Sequence, residues 1–518
     1  MYYTNILEYL EETSKIFPEK IAFSDGACNK SFKTLSRESM EIGSFLSDNG
    51  YYREPIAMLM DKHPNAISAF FGIMYAGAFY IYLDTDMPIS RIKLILDVIN
   101  ARAIIYDTKN SNKVNSLNNN ITKYKFDDII SYPINQVALS HIRSNHIDTD
   151  PAYVVFTSGS SGAPKGVCAS HRSVIDYTEA LCEAIGFDNT TIFGNQTPLS
   201  YDAPLKEIMP TIKLGATTFF IPKQYFSFPT RLCDYLNENK INTICWVSSA
   251  LSIISSLGTL SENPPKYLKL ICFGSEVFPI NQYKLWKEHF PGTRFFNLYG
   301  PTEATGMSTY WCADRELKYN ESIPIGRPFK NTRILLLDES KNPVPQGEIG
   351  EIYVSGTCLT LGYYNDSEKT SKAYIQNPLN SSYPELVYRT GDLAKYNSFG
   401  ELVFVSRKDL QIKHMGRRIE LCEIENCVTS NTNVAKSCCI YDKNYKRIYL
   451  FYEGDVESVN ILDVLKKHLP RYMLPYECIK LDTLPTTPNG KVDRKKLMNY
   501  IIKNSSRLPH GQADKNSI

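Results

Sequence analysis

Between Ile21 and Lys240, short runs of β-branched and aromatic residues alternate with segments of helical period. PIAMLM, ARAIIYD, AYVVFT and ATTFFIP are of the first kind, and PNAISAFFGIMYAG and SRIKLILDVIN of the second. Short apolar runs suit buried strands, and longer stretches suit helices packed on the sheet they form. The alternation predicts an α/β architecture with largely parallel sheets. Ahead of it, MYYTNILEYLEETSKIFPEKIAF carries acidic residues inside its apolar period, which predicts an amphipathic helix and not a signal peptide. Asp107 to Asn145, rich in Asn, Ser and Lys, reads as a long surface connection.

Beyond Ser322 the pattern turns β-like: TRILLLDES, NPVPQGEIGEIYVSG and ELVFVSRKD supply strands with hairpin-type turns. From Ser406 onward, GRRIELCEIENCV, the strand KRIYLFYE and the helix ILDVLKKHL predict a smaller α+β unit. The expected organisation is a large N-terminal domain over residues 1–405, with parallel-rich sheets flanked by helices plus a β-rich subdomain. A small C-terminal domain follows over 406–503, and then a polar, disordered tail over 504–518.

Charge changes this picture little. Lys and Arg number 57 against 55 Asp and Glu, so neither nucleic acid nor a membrane surface is an expected partner. The apolar run from Pro64 to Leu83 is broken by Gly, Ala and Tyr and favours a buried helix over a membrane span. Thirteen cysteines without a C-x-x-C pair, and eight histidines without metal-ligand spacing, indicate reduced thiols in a cytoplasmic protein and no zinc site.

Candidate chemistry begins at YVVFTSGSSGAPKGVCASHRSV, Tyr153 to Val174. A strand runs into Thr157, Ser158, Gly159, Ser160, Ser161 and Gly162, and then Lys165 and Gly166. Glycines let backbone N–H groups converge on an anion, hydroxyls add donors, and the lysine adds a mobile charge. A P-loop is excluded, because Gly166 stands where the metal-binding hydroxyl after the lysine belongs. A flexible Ser/Gly linker is the plain alternative, although linkers are rarely bounded by an apolar strand and a lysine.

In FFNLYGPTEATGMSTYW, Asn297 offers an amide able to read a purine edge and Tyr299 a ring for stacking. A tight turn at Gly300 and Pro301 presents Thr302 and Glu303 to a magnesium ion. An ordinary β-turn beside buried aromatics would look the same. YRTGD reads as a glycine turn ending in Asp392, which could accept two ribose hydroxyls or merely cap the turn, and Phe404 and Arg407 follow. In TTPNGKVDRKKL a rigid turn projects Lys491, which alone would read as a solvated lysine.

Together these segments, with GEIGEIYVSG, RKDLQIKHMGRRIELCEIE and LPRYMLP, stand in the order and spacing of the acyl-adenylate-forming enzymes. Within that superfamily the chain most resembles amino-acid adenylation domains of nonribosomal peptide synthetases and free-standing D-alanine:carrier-protein ligases, over roughly residues 1–500. The resemblance implies ATP-dependent formation of an acyl-AMP, with release of pyrophosphate and transfer of the acyl group to a phosphopantetheine thiol. The cofactors implied are ATP and Mg2+. It further implies that the glycine and hydroxyl loop holds the β,γ-phosphates, and that Asn297, Tyr299 and Phe404 hold the adenine. Thr302 would touch the α-phosphate, Glu303 would bind the metal, and Asp392 and Arg407 would hold the ribose. Lys491 would be the catalytic cation at the reacting phosphorus, where negative charge gathers. Asp409 stands at the family's hinge, about which the small domain rotates between half-reactions and brings the segment near Gly416 to a pantetheine tunnel.

The resemblance also assigns a substrate pocket. Asp202 matches the carboxylate that receives an α-ammonium group, and Ala203, Lys206, Trp246, Ile271, Phe273, Leu298, Gly306 and Met307 align with the walls. Bulky Trp246, Phe273 and Met307 favour a small amino acid such as alanine. Lys206, if it points inward, would favour an acidic one, and if it snorkels outward leaves the apolar reading intact. Ser406 and Cys422 replace residues that are commonly Gly, and Pro204 stands where Ser is usual. An acyl- or aryl-CoA ligase is the alternative enzyme, and a non-catalytic binding protein is disfavoured because Lys165, Glu303, Asp392 and Lys491 are all present. No phosphopantetheine attachment site follows Lys491, so a separate carrier protein or free coenzyme A is the expected acceptor.

Overall fold

Strands buried on both faces organise the N-terminal three quarters of the chain. The computed structural model describes residues 2–117, 120–159, 164–487 and 492–505, so Ser160, Ser161, Gly162 and Lys491 lie outside the described residues. Among the described residues a seven-stranded sheet runs Gly362–Tyr363, Lys165–Ser170, Pro151–Thr157, Phe79–Tyr82, Pro55–Leu59, Ala103–Tyr106, Thr122–Lys125. Its strands are parallel from Pro151–Thr157 to Thr122–Lys125. Every residue of Pro55–Leu59 and Phe79–Tyr82 is buried, as parallel strands covered on both faces require.

A nine-stranded sheet runs Arg327–Pro328, Thr309–Cys312, Arg294–Tyr299, Leu270–Gly274, Thr243–Val247, Ile192–Asn195, Thr217–Phe220, Ile21–Ser24, Asn29–Ser31. One apolar cluster, containing Tyr9, Phe32, Phe71, Tyr153, Phe193 and Phe220, joins the two sheets through the helices between them. The β-rich region is a five-stranded antiparallel sheet centred on Leu386–Tyr396. The smaller C-terminal part holds a hairpin, Gln411–His414 with Arg417–Glu420, the helix Leu421–Asn431, and the sheet Lys436–Asp442, Arg447–Glu453, Glu477–Lys480. Its own core is built from residues such as Ile424, Val428, Leu450, Ile461 and Leu465.

The expected α/β class with a large N-terminal domain and a smaller C-terminal part is what the structure shows. Two local expectations are corrected. Residues 107–145 are no bare connection: they form Ser111–Asn115, the edge strand Thr122–Lys125 and the helix Gln136–Ser144. Polar composition hid six well-spaced buried residues there, Val114, Leu117, Ile121, Phe126, Ile129 and Leu139. YRTGD is likewise not a turn between strands but a bulge inside Leu386–Tyr396. Its register shifts between Arg389 and Leu393, and Gly391 takes a positive φ of 72°. The strand Leu402–Arg407 keeps Ser406 and Arg407 in the five-stranded sheet.

The helices Phe32–Asp48 and Pro64–Tyr75 cross where two glycines meet. A methyl group on Gly43 would stand 2.4 Å from the Tyr75 Cβ and 3.1 Å from the Gly72 carbonyl oxygen. Gly43→Ala is expected to cost about 1–3 kcal/mol by overpacking, which outweighs the ~1 kcal/mol that alanine brings to helix propensity. The urea midpoint should fall, and an unchanged or raised midpoint would show that the helices separate at no cost.

Candidate active site

Thr157 ends the strand Pro151–Thr157 and pairs across the ladder with Lys165, which begins the return strand. Ser158 and Gly159 thus follow the last paired residue of that strand. Ser158 Oγ donates to the Arg418 carbonyl oxygen at 2.9 Å and accepts from the Glu420 N–H at 3.2 Å. Gly159 N–H donates to Glu423 Oε2 at 3.3 Å. Lys165 Nζ lies 3.8 Å from Glu420 Oε1 and 5.6 Å from the Tyr363 ring centre. Burial pulls the Lys165 ammonium below its ordinary range, and the Arg418 charge adds to this.

The strand Arg294–Tyr299 delivers Thr302 and Glu303 through a short 3-10 turn. Glu303 is 0% exposed. Its carboxylate accepts from the Tyr363 hydroxyl at 2.9 Å, and Arg418 Nη1 lies 3.0 and 2.8 Å from its two oxygens. Burial alone would raise this carboxyl, but Arg418 and Lys165 outweigh it and hold Glu303 below the usual carboxylate range.

The bulge aims Asp392 inward. Its carboxylate accepts from the Tyr299 hydroxyl at 2.5 Å and from Arg407 Nη1 at 2.5 Å, and Arg407 also holds Asp409. Lys413 Nζ sits 5.5 Å from the centre of the Tyr299 ring, over its face. Phe404 is half-buried against the apolar cluster that contains Tyr299. Asn297 is buried and donates Nδ2–H to the Pro324 carbonyl oxygen at 2.7 Å. Gly416 packs directly on Val247, where an added methyl would meet Val247 Cγ1 at 2.4 Å, and its N–H donates to Glu276 Oε1 at 2.6 Å.

One cavity of about 680 Å³ joins these pieces. Its lining includes Thr157, Ser158, Asp202, Ala203, Thr302, Gly306, Met307, Asp392, Arg407 and Arg418. The hydroxyls of Thr157, Thr197 and Ser200 on this wall are buried and have no hydrogen-bond partner among the described residues, which suits a polar occupant. Asp202 stands just before the helix Leu205–Leu214, and desolvation raises its carboxyl while the Thr302 hydroxyl partly opposes this.

Other residues assigned to the pocket lie elsewhere. Trp246, Ile271 and Phe273 belong to an apolar cluster with Leu251, Phe278 and Trp286 and do not line the cavity. Cys245 and Cys272, each offset by one from those positions, face the opposite side with Leu298 and Met307. A one-residue offset along a strand exchanges its two faces, which a sequence alignment alone does not reveal. Leu298 is buried behind the wall. Lys206 is 2% exposed, which excludes the snorkelling alternative, and its charge stands against Asp202 and Glu207.

Residue-level sequence reading missed Arg91, Tyr363, Arg418, Glu420 and Glu423. The signal was present in RRIELCEIE, where Arg418, Glu420 and Glu423 alternate in charge across a strand-to-helix junction, and that segment had carried only a family likeness.

The described residues contain no helix long and apolar enough to cross a membrane. The model of the family "AMP-binding enzyme" matches residues 10–364. Zwittermicin A synthase ZmaJ of Bacillus cereus is 30% identical over 512 residues, covering 95% of this chain and 94% of that protein. Tyrocidine synthase 1 of Brevibacillus parabrevis is 27% identical over 499 residues, and the chain spans 45% of that longer protein. Among solved structures, IdnL1 superposes with a TM-score of 0.80 at 23% identity, covering 94% of this chain and 100% of that one. With the match to the family model covering more than half its length, this chain belongs to the AMP-binding enzyme family.

Proposed function

We propose that this protein activates an amino acid with ATP as aminoacyl-AMP, releases pyrophosphate, and transfers the aminoacyl group to the phosphopantetheine thiol of a separate carrier protein. The observation that carries this reading is the single cavity of about 680 Å³ into which Thr157, Asp202, Thr302, Asp392 and Arg407 converge from distant segments. On its wall Asp392 with Arg407 would receive the ribose, and Tyr299, Asn297 and Phe404, which do not line it, would hold the adenine beside it. Thr302 would reach the α-phosphate, and Thr157, Ser158, Gly159, Ser160, Ser161, Gly162 and Lys165 would hold the phosphates that leave. Support for a carrier comes from a solved neighbour that is an artificially fused adenylation–PCP di-domain NRPS from Klebsiella oxytoca, at 19% identity.

Magnesium fits the residues present. Among the described residues no three His, Cys, Asp or Glu side chains cluster as a metal cage, and Glu303, next to Thr302 in the chain, offers one buried carboxylate. One carboxylate completed by phosphate oxygens is a common way to hold this ion. When bound, it would offset phosphate charge. Glu303 would fix its place, Lys165 would steady the outer phosphates, and Lys491 would supply the charge at the reacting phosphorus.

Asp202 favours an amino acid over a fatty or aryl acid, since desolvation raises its carboxyl even with the Lys206 charge nearby, and a desolvated carboxylate is costly unless a cation meets it directly. An alanine-like side chain is supported by Met307 on the wall, and buried Lys206, which does not line it, does not call for an acidic one. Asp202 and Glu207 already face that lysine, so an acidic substrate is not needed to neutralise it. The division near residue 406, with Asp409 as hinge, belongs to the same reading. So does the view that Gly416 against Val247 marks the thiol-transfer arrangement.

Lys491→Ala is expected to lower amino-acid-dependent ATP/pyrophosphate exchange by about 10²–10³, with an unchanged urea midpoint. Full activity would remove Lys491 from the chemistry. Because Asp202 must be ionised to hold an ammonium group and its carboxyl is raised by desolvation, the KM for the amino acid should climb as pH falls, beginning above the ordinary carboxylate range. A KM profile that is flat between pH 7 and about 4 would place the ammonium elsewhere.

A further inference from the structure

A second cavity, of about 620 Å³, is lined from the helices Leu7–Ile16, Phe32–Asp48, Pro64–Tyr75 and Gln136–Ser144 and shares no lining residue with the cavity assigned to the nucleotide. We infer that it is a binding site for a small monocarboxylate with a short apolar body. This site is independent of the nucleotide reading.

The lining divides by depth. Met74, Tyr75 and Leu139 are buried, whereas Lys15, Ser140 and Ser144 are exposed, so the cavity is apolar at its base and polar at its mouth. Met40 and Met74 give the base unbranched, adaptable side chains, which accommodate apolar bodies of more than one shape. The volume falls within the roughly 300–1,000 Å³ of small-molecule sites.

Charge decides the other end of the ligand. Arg143 is held on Glu11 by two bonds, Nη2 to Oε1 at 2.8 Å and Nη1 to Oε2 at 3.3 Å, and the Tyr75 hydroxyl donates to the same Oε1 at 3.0 Å. Glu11 is thereby satisfied and calls for no further cation. The pair uses only part of the guanidinium's donor set and fixes the direction of the rest. Lys15, at the mouth, has no carboxylate partner among the described residues. Burial holds His146 below its ordinary range, so this lining residue adds no charge near neutral pH, and its Nε2 is buried without a hydrogen-bond partner among the described residues. Lys15 and Arg143 therefore stand against Glu11 alone, and one further negative charge balances the lining. A phosphate dianion would overshoot that balance and an ammonium group would be repelled, whereas a monocarboxylate suits both the charge and the apolar base.

Hexanoate is the probe, followed in the full chain by calorimetry and by methyl NMR of labelled methionines. It is expected to shift the Met40 and Met74 methyl resonances and to leave that of Met307, on the wall of the nucleotide cavity, in place. Hexanamide, the same body without the charge, should bind about tenfold more weakly. Lys15→Glu should weaken hexanoate about fivefold, and Ser140→Trp, which sets a ring at the mouth, should remove both methyl shifts. Both positions are exposed, so neither variant threatens the fold. Hexanamide binding as tightly as hexanoate, or unchanged affinity in Lys15→Glu, overturns the carboxylate assignment. Methyl shifts that persist in Ser140→Trp, shifts confined to Met307, or no binding of hexanoate at all overturn the site itself.

Discussion

A fully buried carboxylate must have a cation, and Glu303 is where this chain meets that demand. The strand Arg294–Tyr299 lies between two neighbours in the nine-stranded sheet, so the turn carrying Glu303 cannot move to water without disturbing the ladder. Tyr363 supplies one neutral donor, which is not enough for a full charge. Arg418 supplies the rest in the present arrangement, and Lys165 contributes from the flank. The placement of Lys165, the five-stranded sheet and the C-terminal hairpin can all be followed outward from this one requirement.

The two parts of the molecule are held together differently from how each is held internally. No apolar cluster among the described residues mixes the C-terminal part with the rest: its cores around Leu450 and Phe451 are its own. Beside the packing of Gly416 on Val247, polar contacts cross the junction: Arg91 with Glu423, Arg418 with Glu303, Gly416 N–H with Glu276, and Ser158 with the hairpin backbone. Such an interface gains little from the hydrophobic effect and is sensitive to what else occupies the same groups. That is the expected composition for parts that dock and separate.

The fold class was legible because strand and helix periods in the N-terminal three quarters are strong, and because buried parallel strands read as unbroken apolar runs. The segment 107–145 was misread because its buried residues are single and widely spaced among Asn, Ser and Lys. YRTGD looked like a turn because Gly and Asp serve a bulge as well as they serve a turn. Of the site, the polar residues on loops and strand ends were visible from their motifs. Facing was not: Trp246, Ile271 and Phe273 sit one position away from Cys245 and Cys272, and only the packing shows that the two sets lie on opposite faces of the sheet.

Arg418, Glu420 and Glu423 show a deeper limit. Each forms its pairing with a residue far away in sequence, and those partners are ones that the nucleotide reading already assigns to phosphate and metal. A motif scan gives each group one role, whereas in this arrangement the same groups serve a second partner. Buried ion pairs of this kind are weak contributors to stability, because desolvation offsets most of the Coulombic gain, yet breaking one leaves a costly lone charge. Those two properties together suit exchange: neither partner is held so firmly that it cannot be replaced, and neither can be left empty.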